Sequence, residues 1–275
     1  MDFFGHPVNR ITSPFLSLDY LSTAGPRIVR LMLAGSEENL LAETPDLSWQ
    51  HKYGHYHIYG GHRLWHAPER VESSIPDDEP PLVEHLADGV RLIQPVEAPT
   101  HLRKMIKIQL HQDRAAVTLD HTLKNEGNTT LTCGAWGITM LRGGGTAILP
   151  MRLPDADKTG LLPDRQVVFW PYTLTSDPRL HVEDDCVRVE ALEMDNPLKV
   201  GVFSPLGWVT YRIGNVLFRK TFDPLPGMPH PDMGCNCSVY TRWNYIEIES
   251  MGALLPLEAG GELHHREVWE IEKVS

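Results

Sequence analysis

Residues 115–123 alternate without a break. Val117, Leu119, His121 and Leu123 fall on one side of an extended chain, while Thr118, Asp120, Thr122 and Lys124 fall on the other. This period of two marks a strand with one apolar face, and it places His121 as a hydrogen-bonded core histidine. Runs at 27–33, 90–93, 105–110, 131–141, 167–172, 187–192, 199–203, 208–213, 216–222 and 263–271 read as further short strands. At 245–249, Tyr245, Glu247 and Glu249 share one face and Ile246 and Ile248 the other. No window of a dozen residues carries a helical stripe. The 22 glycines and 22 prolines are spread along the chain and break it into many short elements. The expected fold is therefore all-β, built of short antiparallel strands in one domain over residues 1–275. The turn Asn125-Glu126-Gly127-Asn128 predicts that 131–141 returns as the hairpin partner of 115–123.

Charge and cysteine content exclude several functions. With 25 Lys+Arg against 36 Asp+Glu, the net charge is −11, and no basic run exists to track a phosphate backbone. Nucleic acid is not an expected partner. No apolar stretch approaches the roughly 20 residues that span a bilayer, so no membrane partner is expected either. Residues 1–10 lack the basic-then-apolar order of a secretory signal, which leads to the expectation of a soluble, cytoplasmic protein. Oligomeric state is left open. Four cysteines are too few for a disulfide scaffold, and Cys235-x-Cys237 lacks the spacing of zinc knuckles, so structural thiols are expected.

Residues 53–69 read Tyr-Gly-His-Tyr-His-Ile-Tyr-Gly-Gly-His-Arg-Leu-Trp-His-Ala-Pro-Glu. The stretch places His55, His57, His62 and His66 beside Arg63, Trp65, Glu69 and three tyrosines. Aromatic faces interleaved with titratable groups suit a sugar or small-anion pocket; each histidine alone is better explained by a half-buried strand, the cluster with its arginine and glutamate by a site. Gly60-Gly61 would let the backbone bend or approach a ligand. His55 and His57 have the two-apart spacing of many metal sites, and His62, Glu69 or Asp232 could supply a third ligand. No complete ligand signature is present, and neither metal nor cofactor is expected. Glu247 and Glu249 are placed to act on one ligand; an exposed polar strand face is the plainer account of their spacing. Lys220 and Asp232 are candidate ligand contacts, or an ordinary strand lysine and a loop-capping carboxylate. The proline- and glycine-rich 223–237 is the longest irregular segment, a place where function often resides.

Four stretches, in order, carry a family resemblance: Asn39-Leu40-Leu41; Gly61-His62-Arg63; 125–141; and Glu247-Ile248-Glu249-Ser250 running to Glu258-Ala259-Gly260-Gly261-Glu262. Together they resemble the galactose mutarotase-like superfamily, the aldose 1-epimerases and their relatives. Within it, the chain is similar to a group sharing Tyr59-Gly60-Gly61-His62-Arg63-Leu64-Trp65 and a late Pro231-Asp232-Met233-Gly234-Cys235. The resemblance implies a large antiparallel β-sandwich with a concave, ligand-binding face and a small-molecule carbohydrate as partner. It also implies a carboxylate base and a histidine acid that exchange anomers through ring opening. Glu249 matches the family's base, and Arg63 its hydroxyl-binding arginine. Where the family carries its histidine acid, this chain has Trp136, which cannot donate that proton, and His62 is the expected substitute. Trp65, Glu69, Trp136, Lys220, Asp232 and Glu247 complete the expected substrate contacts. A binding protein without catalysis, or a lyase or hydrolase acting on uronic-acid-containing sugars, stands as the alternative.

Overall fold

The computed structural model describes residues 2–152 and 159–274. These form strands that pair antiparallel throughout, with one short 3-10 turn at Val71–Ser74. The strands make two sheets, one of twelve strands and one of ten. Across the middle of the larger sheet lie Arg27–Leu33, Gly54–Ala67, Leu131–Arg142, Tyr245–Met251, Cys237–Trp243 and Met194–Val202, in that spatial order. The smaller sheet is centred on Trp208–Ile213, Val216–Phe222, Glu262–Lys273, Ala116–Asn125 and Leu102–Leu110. The apolar faces close on each other. Leu18, Leu31, Leu64, Val200, Ile246 and Ile248 of one sheet share a buried core with Ile106, Leu119, Val209, Phe218 and Ile271 of the other. Alternation along each strand dictates this packing, because every second residue must face the partner sheet.

The turn after residue 125 lies where the sequence puts it, but the hairpin does not form. Asn125 fixes the turn: its Oδ1 accepts from Gly127 N at 2.9 Å, and its Nδ2 donates to Thr129 O at 2.8 Å and Leu257 O at 2.9 Å. Ala116–Asn125 then pairs with Leu102–Leu110 and Glu262–Lys273, whereas Leu131–Arg142 pairs with Gly54–Ala67 and Tyr245–Met251. The turn therefore carries the chain from one sheet to the other. Leu131–Arg142 is buried on both faces from Cys133 to Leu141, the signature of a central strand rather than a hairpin arm.

Gly54–Ala67 is the strand on which the site depends, and two glycines set its course. Gly60 (φ +91°) and Gly61 (φ +65°) lie where the strand leaves its partner Glu43–His51 and joins Arg27–Leu33 and Leu131–Arg142. A Cβ at Gly61 would lie 1.9 Å from Ile28 O, so no other residue fits. Their role is strand exchange. The strand ends at Ala67, ahead of Pro68.

Candidate functional site

Beyond the switch, the Gly54–Ala67 strand divides its side chains by parity. Arg63, Trp65 and Ala67 face outward from the sandwich, and His62, Leu64 and His66 face inward. On the outer face, Trp65 and Trp136 meet edge to face, with ring centroids 5.4 Å apart. Beside them, Ile138, Tyr245 and Glu247 complete the floor of a cavity of about 290 Å³. Glu69, Tyr172, Lys199, Tyr240, Trp49 and Trp243 form its walls.

Charges in this cavity are tightly paired. Arg63 Nη2 donates to Glu247 Oε1 at 2.8 Å and its guanidinium lies 4.8 Å from the Trp65 ring centroid, while its Nε and Nη1 have no hydrogen-bond partner. Lys199 Nζ lies 3.0 Å from Glu249 Oε2 and between two indoles, 4.7 Å from Trp136 and 4.8 Å from Trp170. The same Glu249 oxygen accepts from Trp136 Nε1 at 3.0 Å and Ser238 Oγ at 2.7 Å, while Glu249 Oε1 is buried without a partner. Burial pulls Lys199 down, but Glu249, Glu69 and Glu247 outweigh it, and the ammonium is held above its ordinary value. Glu69 sits at the rim, open to solvent yet closely surrounded by protein. Burial raises its carboxyl, and Glu249, Asp232 and Glu247 add to this against Lys199. Asp232, on the 223–237 loop, is likewise raised by burial and by Glu249, with Lys199 opposing. Four carboxylates thus surround Lys199 and Arg63.

The structure separates the expected site residues into three groups. Arg63, Trp65, Glu69, Trp136 and Glu247 line the cavity, and Asp232 lies within electrostatic reach of Lys199 and Glu249. Glu249 is on the expected face but lies under Lys199 and Trp136 rather than on the open wall. His62 and Lys220 are elsewhere. Both are fully buried between the sheets, and neither can reach a ligand in the cavity. The reason is parity: His62 neighbours Arg63 on a strand, so the two side chains must point to opposite faces.

His62 belongs to an interior polar network whose proton positions follow from its acceptors. His121 Nδ1 lies 3.0 Å from His265 O and must carry the proton. His121 Nε2 is therefore an acceptor and His62 Nε2, 2.8 Å away, its donor; His62 Nδ1 in turn accepts from Thr139 Oγ1 at 2.9 Å. His265 Nε2 donates to Ser250 Oγ at 2.6 Å, which passes its own proton to Glu267 Oε1 at 2.6 Å. Burial holds His62 well below its ordinary value and His265 at about 3. His62, His121 and Glu267 offer ligand atoms within 4.8 Å of one another, but the ammonium of Lys220 stands 3.0 Å from Glu267, and hydrogen bonds account for these atoms without an ion. His55 and His57 are on the outer part of the strand, before the switch, where His57 approaches Asp78 at 3.4 Å.

Sequence reading missed Lys199 and Trp170. The signal for Lys199 was present: it is the lone charge in Leu198-Lys199-Val200-Gly201-Val202, on the face opposite the three core residues.

No family model matches the chain, and no curated protein matches it in sequence. Solved structures do. A galactose mutarotase-like protein from Lactobacillus casei ATCC 334 is 9% identical, with a TM-score of 0.64 over 97% of this chain and 100% of that one. The GalM/aldose epimerase homologue from C. elegans is 10% identical, with a TM-score of 0.54 over 98% of this chain and 100% of that one. A TPR-domain containing protein from Parabacteroides distasonis ATCC 8503 is 13% identical, with a TM-score of 0.67 over 97% of this chain and 47% of that one. Among the described residues no helix is long and apolar enough to cross a membrane. The two-sheet architecture is that of the galactose mutarotase-like fold.

Proposed function

We propose that the protein is a sugar epimerase, exchanging the anomers of a carbohydrate bound over Trp65 and Trp136. The fold alone does not decide this, since the same architecture occurs in proteins of different description. What carries the reading is the Lys199–Glu249 pair at 3.0 Å, with Lys199 on the wall of an aromatic cavity and Glu249 directly beneath it. Glu249 is the base. One of its oxygens is held by three donors, and the other is left without a partner to accept the anomeric hydroxyl proton. Lys199 replaces the histidine: its ammonium protonates the ring oxygen as the ring opens, and the proton returns on closure. Arg63 Nε and Nη1, unpaired, bind the sugar hydroxyls. Lys199 must move aside for the sugar to reach Glu249.

A binding protein without turnover is the second reading, favoured by the covered position of Glu249 and the lack of any histidine among the cavity's lining residues. Proton NMR of anomeric exchange, over neutral sugars and uronates, separates the two. Exchange that disappears in Glu249→Gln and in Lys199→Met, with sugar binding kept, supports the epimerase. Exchange at parental rate in either variant removes that residue from the mechanism. Saturable binding without exchange in the parent establishes the binder.

A further inference from the structure

The sugar cavity does not end as a closed cup. Leu47, Trp243 and Tyr245 also line a second compartment of about 310 Å³, together with Glu43, Thr44, Pro45, Asp46 and Asn244. Glu43, Thr44 and Asn244 continue in turn into a wider depression bounded by Arg142 and Glu193. The inner cavity alone is at the small end of ligand pockets, roughly 300–1,000 Å³, and the second compartment doubles it.

Trp243 stands at the junction, on the turn between Cys237–Trp243 and Tyr245–Met251. Its backbone is in the left-handed region, φ +52°, where a bulky side chain costs about 1–3 kcal/mol. Its indole is only half-buried, with the Arg242 guanidinium 4.1 Å from its centroid. Trp49, which lines the inner cavity, is exposed and packs at 4.9 Å on Tyr56. Trp243, shared by the two compartments, with Asp46 and Asn244 beside it in the outer one, presents an apolar platform and hydroxyl partners for a second sugar ring. The left-handed φ of Trp243 belongs to the two-residue turn that joins the paired Arg242 and Tyr245.

We infer that the natural ligand is an oligosaccharide, its reducing-end ring in the inner cavity beside Lys199 and its next ring against Trp243 in the outer compartment. The inference rests on the carbohydrate reading above and extends it from a single sugar to a chain of two or more. Isothermal titration with D-glucose, maltose and maltotriose, and with D-galactose and its β-1,4-linked dimer and trimer, tests it. In the parent, the longer member of one series is expected to bind at least tenfold more tightly than its monosaccharide. In Trp243→Ala, and in Asp46→Trp, which fills the outer compartment, that ratio falls towards one. A flat ratio in the parent for both series overturns the inference while leaving the monosaccharide site standing. A ratio unchanged in both variants also overturns it, because the gain then arises elsewhere. No binding of any length removes the carbohydrate reading itself.

Discussion

Lys220→Met is the sharpest test of how the sandwich holds its site. Lys220 Nζ lies 3.0 Å from Glu267 Oε1, 3.2 Å from Gly137 O and 3.0 Å from Ile248 O. Three acceptors require three N–H donors, so the group is an ammonium, although burial pulls it below its ordinary value against the attraction of Glu267. The geometry decides this conflict, since Glu267 is itself held far below the usual carboxylate range. Burial pushes that carboxyl up, but Lys220 and the neighbouring histidines pull it down by more. With methionine at 220, Glu267 is left as a buried carboxylate without a cation, and the folded state escapes the penalty by protonating it. Protonation from an unfolded value near 4.3 costs about 3.7 kcal/mol at pH 7 and about 1 kcal/mol at pH 5. This agrees with the roughly 3–5 kcal/mol seen when one partner of a buried pair is removed. The loss at pH 7 corresponds to a fall in Tm of about 6 °C. Urea unfolding of parent and variant at pH 5, 6 and 7 measures it. A loss under about 1 kcal/mol at pH 7, or an equal loss at pH 5, would refute this role for the pair.

Two further outcomes follow from the same packing. Burial holds His62, His66, His121 and His265 below their ordinary value, His66 and His265 at about 3. Below pH 6.5 the unfolded chain binds protons that the folded chain refuses. Their contribution is therefore complete above about 6.5 and is lost as pH falls towards the folded values, at up to about 1.4 kcal/mol per pH unit for each histidine. The slope of unfolding free energy between pH 6 and 5 checks this, and a His265→Gln variant with an undiminished slope would count against it. Trp136→Phe keeps an aromatic face but removes the 3.0 Å donor to Glu249, and should cost about 1.5–3 kcal/mol by chemical denaturation; an unchanged midpoint would show that the bond contributes nothing.

Much of this architecture is legible from period and punctuation. The strand expected at 27–33 spans Arg27–Leu33, and the division of 245–249 into a carboxylate face and an isoleucine face is as the alternation requires. Parity also held the answer at two positions where chemistry suggested otherwise. Lys220 alternates in step with Val216, Phe218 and Phe222, all buried, so it had to enter the core. His62 and Arg63 are adjacent and could not both reach one cavity. The sequence did not show which of them turned outward, because that phase is reset at Gly60 and Gly61, where the strand changes partners. Nor did it show that the turn at 125–128 crosses between sheets, since a turn's residues specify its bend and not the pairing of the strands beyond it. The outward position of Lys199 was legible from the same alternation, but its partners were not: Glu249, Trp136 and Trp170 meet it only across three strands and a loop.

The two faces of the larger sheet are one device. Gly137 O lies on the backbone between Trp136 and Ile138, and Ile248 O between Glu247 and Glu249; Lys220 holds both carbonyls from the interior side. Ser250, next to Glu249 in the chain, is bound by Glu267. Gly137 has no side chain because a Cβ there would lie 2.3 Å from Glu267 Oε1. The interior charge therefore occupies the space where those two strands would otherwise pack on apolar residues, and it grips their backbones at the positions that carry the outer cavity. An apolar replacement of the whole pair, Lys220→Met with Glu267→Leu, removes the unpaired carboxylate but also the acceptor of Trp269 Nε1 and Ser250 Oγ, and so should recover part of the stability lost by Lys220→Met alone. It cannot restore the grip on Gly137 and Ile248. If the double variant regains part of its midpoint yet binds sugar more weakly, the buried pair serves the site; if both recover, the pair serves only the fold.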